Sequence, residues 1–365
     1  MLILVDGSNL SHRAIHASFN DLGYYSALEA VPYFLKRLVS ILNYQGLTAG
    51  VIVAWDKGLP IHRRELYSEY KPDSSPIGIS DPRLLSKINL DPSLDPHRVI
   101  KNKKDMLGSY HKLVDILSSV ILPCFKCISS RVLNVEADDI IAFVCDKLPD
   151  QEKQIVSSDR DLLQLIDPST SVYNFMSPNK NGNVYDYDWV TENYTDPDYF
   201  RISFLIEKAI TGDTSDNIRG VEAVGEITAK KYTEIIINNL KTGLSLEESI
   251  SKVQKPPRAS SNGFNNLIEG FEIVKRNLGL MDLFSPIYQN LDMVYNIQKN
   301  LVSYLNFNLS YDQAVEKLES IEGLQLNKCY SLVDKIYESN SCYEMTKTLE
   351  VLRDASSRTQ KPLFL

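Results

Sequence analysis

Nine carboxylates stand beside apolar runs in this sequence: Asp6, Asp56, Glu136, Asp138, Asp139, Asp159, Asp161, Asp213 and Asp216. "VEADDIIAFV" (135–144) packs three of them into four positions. Like charges that close repel by ~1 kcal/mol in water, and by more as water is excluded. An acidic helix start explains one or two, because first-turn acids face the positive end of the helix dipole. A divalent cation explains the set, since it turns repulsion into ligation. No comparable set of His or Cys joins them. An all-oxygen shell suits Mg²⁺ or Mn²⁺ rather than zinc. So many acids exceed the needs of one ion. Two ions ~3.5–4 Å apart are the known device for in-line displacement at a phosphodiester.

Regular elements must bring these acids together. "LILVD" (2–6), "AGVIVAWD" (49–56) and "KQIVSSD" (153–159) are apolar runs that each end in an acid. Residues 27–44 and 105–122 carry apolar positions at helical spacing. Strands alternating with helices predict an α/β parallel sheet, whose sites form beyond the carboxyl ends of the strands. One strand-end Asp is turn chemistry. Three of them at one edge are not explained that way. "SSDRDLLQLI" (157–166) adds Asp161, with a buried helix after it. "AITGDTSDNIRG" (209–220) adds Asp213 and Asp216, one turn apart if that segment is helical.

Residues 57–104 contain Pro60, Pro72, Pro76, Pro82, Pro92 and Pro96 and read as an insertion without sustained periodicity. Residues 199–236 read as helix, tight turn, helix, and from 245 the chain is mostly helical, with an exposed loop at 251–263 and a tail over the last ten residues. "GVEAVGEITAKKY" (220–232) has the helix-hairpin-helix pattern. Gly220 and Gly225 let backbone N–H groups approach a DNA phosphate, and Lys230 and Lys231 reach adjacent ones.

The 365 residues are 43% hydrophobic and 24% charged, which is globular composition with room for two or three domains. The most apolar region, 38–55, is cut by Asn43, Gln45 and Gly46, so no membrane span is expected. "MLILVDGSNL" lacks the basic region of a signal peptide. Five cysteines without framework spacing suggest reduced thiols and a cytoplasmic protein. A net charge of −8 argues against a nucleic-acid partner, unless bound cations cancel the acids' field.

The chain resembles the flap endonucleases, and in particular the bacteriophage 5′-nucleases, including those called ribonuclease H in T-even-like phages. "VDGSNL", "WD" (55–56), "RRELYSEYK", "VEADD", "SSDRDLLQL" and "GDTSDNIRGVEAVG" occur in family order, and "NLIEGFEIVKRNLGLMDL" (266–283) extends the match. The resemblance implies a PIN/FEN-like parallel-sheet nuclease core over 1–198 with a helical arch at about 57–104. It implies a helix-hairpin-helix DNA-binding region over 199–285 and leaves 286–365 as a helical C-terminal extension. Asp6, Asp56, Glu136 and Asp138, with Asp139 close by, would hold one Mg²⁺. Asp159, Asp161, Asp213 and Asp216 would hold a second, and a K⁺ would sit at the hairpin. In the arch, Lys71 would neutralise the scissile phosphate and Tyr70 would stack on a terminal base. The family's arch Arg is missing after Lys71, where Pro72 cannot continue a helix. Arg64 takes that role, with Arg63 as the fallback on DNA.

The implied activity is structure-specific 5′-3′ exonuclease and flap endonuclease cleavage. Its partners would be branched or nicked DNA and RNA/DNA hybrid, for primer removal by a monomer in a phage-infected host's cytoplasm. The tail "QKPLFL" (360–365) resembles a sliding-clamp peptide, with packing on the protein's own helices as the competing expectation. Two other functions fit the fold: a non-catalytic junction-binding protein and a PIN-like ribonuclease. Pure binding gains nothing from nine clustered acids, and the hairpin suits duplex DNA. "PCFKC" (123–127) has no second cysteine pair and reads as a buried strand. His12 and His16 read as helix surface or core.

Overall fold

Three apolar runs become parallel strands buried on both faces, as continuous Val/Ile/Leu runs do. The computed structural model describes residues 1–44, 49–71, 96–176, 183–256, 260–306, 309–324, 330–341 and 345–354. The arch residues 72–95 and the tail 360–365 lie outside them. Strands β1 (Leu2–Asp6), β2 (Gly50–Trp55), β3 (Ile128–Arg131), β4 (Lys153–Val156), β5 (Thr170–Asn174) and β6 (Asn183–Tyr185) form one sheet in the order 3-2-1-4-5-6. All pairings are parallel except that of β5 with β6. The chain runs outward from β1 to β3 on one side and restarts at β4 on the other. The crevice between β1 and β4 is therefore the switch point where such sheets bind ligands.

Alternation along the strands divides the core. Ile3, Val5, Val51 and Val53 face helices α1 (Gly7–Leu22) and α2 (Ala27–Tyr44). Leu2, Leu4, Ile52 and Ile155 face the opposite side, where α5 (Ala137–Lys147) packs. Between them in the chain come α3 (Ile61–Leu66) and α4 (Pro96–Ile116). Gly7 is dictated by the packing: a Cβ there would stand 2.7 Å from Trp55.

A third cluster holds the hairpin module. Helix α6 (Phe200–Thr211), helix α7 (Glu226–Lys241) and helix α8 (Phe271–Met281) bury Leu205, Tyr232 and Val274 together. The C-terminal helices do not stand apart from the sheet. Met293, Ile297 and Leu301 of α9 (Leu291–Val302) enter the core beside α5. Ala314 and Leu318 of α10 (Tyr311–Glu319), with Ile336 of α11 (Tyr330–Ser341), enter the core beside α2. Leu349 and Leu352 of α12 (Met345–Asp354) return to the α5 side.

Two local expectations are corrected. Asp213 and Asp216 do not share a helix: α6 stops at Thr211, and Gly212, at φ 78°, starts a two-residue ladder of 212–213 with 218–219. A Cβ on Gly212 would lie 2.3 Å from the Gly220 nitrogen, so the hairpin closes only on glycine. "PCFKC" is not a strand. It is a helix end and turn before β3, with Cys124 and Cys127 both buried.

Candidate metal centre and nucleic-acid interface

Strand ends deliver the acids. Asp6 ends β1, caps α1 by accepting from the Asn9 N–H (2.9 Å) and accepts from the Ser157 hydroxyl (2.7 Å). That last bond spans the crevice from β1 to the end of β4. Asp56 follows β2. Its N–H donates to the Ser8 hydroxyl (2.9 Å), and its carboxylate accepts from the Ala137 N–H (2.7 Å). Asp159 follows β4 and orients the next acid by accepting from the Asp161 N–H (2.9 Å).

The start of α5 contains both a cap and a site. Glu136 and Asp139 form a capping box, the Glu136 N–H donating to Asp139 (3.2 Å). Asp139 is removed from the metal set. It is fully buried, and Arg63 donates to both its oxygens (3.0 and 2.6 Å). Asp138 is left facing the other acids. Burial, then Asp159 and Asp6, push its carboxyl well above the ordinary range. Burial, then Asp56, push Asp6 up to about 7. Burial likewise lifts Asp216 to about 6. Asp213 moves the other way: against the cost of burial, Ser215 and Lys208 bring it to about 2.

The arch base also differs from expectation. Arg63 is not a DNA contact: it is 2% exposed, binds Glu136 as well as Asp139, and donates from Nε to the Leu280 carbonyl (3.0 Å). Arg64 braces the chain, donating to the carbonyls of Tyr70 and Lys71 (3.2 Å each). Tyr70 is 3% exposed, so no face of it is open to a terminal base. Its hydroxyl donates to Glu136 (3.1 Å) and lies 3.2 Å from an Asp216 oxygen. Lys71 does reach the acids. Its ammonium contacts Glu136 and lies 3.6 Å from Asp216, while its backbone takes φ 38° and its N–H bonds the Asp216 carbonyl (3.0 Å).

Lys208 was not singled out in the sequence. Its ammonium lies on Asp161 and Asp213 (3.0 Å to Asp213). The signal was a lysine in the last turn of a helix, which reads equally as a dipole partner. Ser8 and Ser157, which aim Asp56 and Asp6, gave no signal either.

Among the described residues no three of these acids close around one point as a finished chelate. The donor chemistry nevertheless fits hard divalent ions. It is all oxygen, mutually repelling, and already holds two ammonium groups as stand-in cations. Asp6, Asp56, Glu136 and Asp138 would hold one ion, and Asp159, Asp161, Asp213 and Asp216 a second. The metal-free protein is expected to be less stable at pH 8 than at pH 5. Asp6 and Asp216 bind a proton more tightly folded than unfolded, so stability falls as pH rises from about 4 through 6–7. The loss should be on the order of 2–4 kcal/mol in urea titrations with EDTA. Saturating Mg²⁺ should erase it, and a flat profile in EDTA would show that the acids are not crowded.

The hairpin module presents one exposed glycine and two exposed lysines at the start of α7. Gly225 is exposed at the N-terminus of α7, and a Cβ there would meet nothing within 4 Å. Lys230 and Lys231 are exposed on its second turn. Gly220 serves the fold instead: a Cβ there would sit 2.3 Å from the Thr211 carbonyl.

A parallel sheet with acids at its switch point and a helix-hairpin-helix beside it defines the PIN/FEN-like nuclease fold. Residues 1–195 match the family described as "5′-3′ exonuclease, N-terminal resolvase-like domain", and the chain belongs to that family. It is 30% identical over 237 residues to the thermostable DNA polymerase I of Thermus aquaticus, covering 64% of this chain and 24% of the polymerase. A 5′-3′ exonuclease of Mycoplasmopsis pulmonis is 27% identical over 261 residues, covering 69% of this chain and 73% of the relative. The chain thus spans about a quarter of the Thermus polymerase it matches. The fold is shared with a bacteriophage T5 flap endonuclease solved in a complex with DNA and metal ions (TM-score 0.54, 19% identity, 97% and 99% of the two chains covered). It is equally shared with T5 5′-exonuclease carrying divalent zinc (TM-score 0.54, 19% identity, 96% and 99% covered). No described helix is long and apolar enough to cross a membrane.

Proposed function

We propose that this chain is a Mg²⁺-dependent structure-specific 5′-nuclease. It hydrolyses phosphodiesters of DNA and RNA/DNA hybrid next to single-strand/duplex junctions and removes RNA primers in replication. The observation that carries the reading is the acid cluster at the β1/β4 switch point, reached by Lys71 and flanked by the hairpin module. Bound Mg²⁺ ions would supply a water nucleophile at neutral pH and offset charge on the attacking and leaving oxygens. The protein's own residues do the positioning. Ser157 and the Ala137 N–H hold the Asp6 and Asp56 carboxylates at the strand ends, and Ser8 holds the Asp56 backbone. Lys71 is held by its backbone bond to Asp216, and its ammonium can swing from Glu136 to a phosphate as cations take up the acids' charge. Exposed Gly225, Lys230 and Lys231 grip duplex phosphates without reading sequence.

The deciding assay uses labelled 5′-flap, nicked RNA/DNA hybrid and plain single strand, each with Mg²⁺ and with EDTA. Cleavage of the first two, yielding 5′-phosphates and abolished by EDTA, is expected. Junction binding without cleavage in Mg²⁺ would identify a binding protein, and equal cutting of single-stranded RNA a ribonuclease. Lys230→Ala and Lys231→Ala should each weaken junction binding regardless of sequence. Each should also lower the slope of log affinity against log salt by roughly one, with little change in single-turnover rate. An unchanged salt slope would place the duplex elsewhere.

A further inference from the structure

Helices α1 and α2 each turn one stripe toward a shared groove. On α1 it runs Leu10, Arg13, Ala14, Ala17, the spacing of a single helix face. On α2, Tyr33, Lys36 and Arg37 repeat that spacing. Phe175 and Met176, just past the end of β5, form the floor. The cavity holds about 330 Å³, within the ~300–1,000 Å³ range of ligand sites. Ala14 and Ala17 stop at Cβ and leave it open. The groove lies on the flank of α1 turned away from α4. His12 stacks on Tyr110 of α4 with ring centres 4.0 Å apart, whereas Arg13, the next residue, lines the groove with α2.

The lining inverts the charge of the chain. The whole sequence carries 47 Asp and Glu against 39 Lys and Arg. Here Arg13, Lys36 and Arg37 are all exposed, and no carboxylate stands among the described lining residues. Asp21, outside the lining, is taken by the Tyr33 hydroxyl. The Arg37 guanidinium lies over the Phe175 ring, 5.7 Å from its centre, which holds that charge at the rim. Met176 is 45% exposed, and its flexible thioether adapts to an incoming apolar group.

These features select the ligand. Three cations without acids call for an anion. A single strand bound without sequence preference needs open rings for its bases. Phe175 is 6% exposed and lies beneath Arg37, so it offers none. The groove offers instead an apolar floor sized for one large side chain, with cations around it. We propose that it docks a carboxylate-rich segment of a partner protein, with one large apolar anchor among its acids. The anchor enters over Ala14, Ala17 and Met176, and the acids meet Arg13, Lys36 and Arg37. Arginine clusters recognise acidic motifs in this way, and a central anchor inside a polar rim carries most of the energy of such contacts. Phe175 follows a strand parallel to β4, so the segment docks beside the acid-bearing edge of the sheet without entering the acid cluster.

The test needs no cleavage, so it stands apart from the nuclease reading. Fluorescence anisotropy follows the full chain with a labelled peptide of alternating Asp and Ser around a central Phe. Saturable binding is expected, weakened by salt and lost when Asn replaces every Asp. Replacing the peptide's Phe by Ala should raise the dissociation constant about tenfold. Arg13→Ala, Lys36→Ala and Arg37→Ala should each raise it about three- to tenfold, with the melting temperature unchanged. Ala17→Trp should fill the groove and block binding. If that variant melts early, Arg13→Glu with Arg37→Glu decides in its place. No saturable binding of the Asp peptide, or equal binding to the double charge reversal, would overturn the proposal. A single-stranded octanucleotide in EDTA is the control. If the charge reversal costs it as much affinity as it costs the peptide, the groove is a nucleic-acid surface and the proposal fails.

Discussion

Asp138→Asn is expected to lower single-turnover cleavage on the order of 10³-fold in saturating Mg²⁺, with junction binding preserved. Asp138 is the one acid of the 136–139 cluster not committed to Arg63 or to the helix cap, and burial, with Asp159 and Asp6 beside it, holds its carboxyl well above the ordinary range. Asparagine keeps its shape and removes the charge. Without metal, the variant should melt higher than wild type at pH 8, because repulsion from Asp159 and Asp6 is relieved. Calorimetry should show at least one divalent site weakened. A variant that cuts at near wild-type rate and binds Mn²⁺ normally would take Asp138 out of the centre. Asp139→Asn gives the contrast: it disturbs a buried ion pair with Arg63, so its damage should appear as lost stability whether or not metal is present.

Lys71→Ala should slow the chemical step by 10²–10³, or ~2.7–4 kcal/mol, while raising the dissociation constant for a junction only slightly. The ammonium is held at the carboxylates, where a scissile phosphate would have to come to be attacked. It is therefore placed to meet charge that grows in the transition state rather than charge spread along a duplex. Single-turnover and binding measurements on one substrate separate the two effects. If affinity falls and the rate survives, Lys71 is a grip residue. Without metal, the same substitution should destabilise the fold, since Lys71 then offsets Glu136 and Asp216. That loss should vanish with Mg²⁺.

Much of this architecture was readable. Buried parallel strands leave unbroken apolar runs, and three runs each ending in an acid located the sheet edge. The hairpin was legible from Gly220 and Gly225 before an amphipathic helix, whereas the tight closure at Gly212 was not. Partner choice among charged residues was not. Arg63 and Arg64 are adjacent and chemically alike. One is buried on Asp139 and the other braces a backbone, a difference set by which side of a two-turn helix meets Leu280. Tyr70 likewise looked like a stacking platform because nothing in "LYSEYK" shows that its ring enters the cluster of α6 and α8. Sequence spacing ranks acids by proximity along the chain, but whether a carboxylate faces a cation or an arginine is decided by residues far away in it.

The straddling C-terminal helices bear on the order in which this protein can be made. Strand β1 is made long before its partners: its two faces are completed by side chains as late as Ile336 and Leu352. Contacts of that sequence separation carry a loop-closure cost before they stabilise anything, so the sheet's faces are completed only once residues through Leu352 have been made. A nascent chain stopped short of these helices would carry its acids on a sheet with exposed apolar flanks and no rigid seat. Synthesis thus leaves the acid cluster without its supporting core until α9 to α12 dock. A truncation near residue 290 would yield an insoluble chain rather than a smaller enzyme.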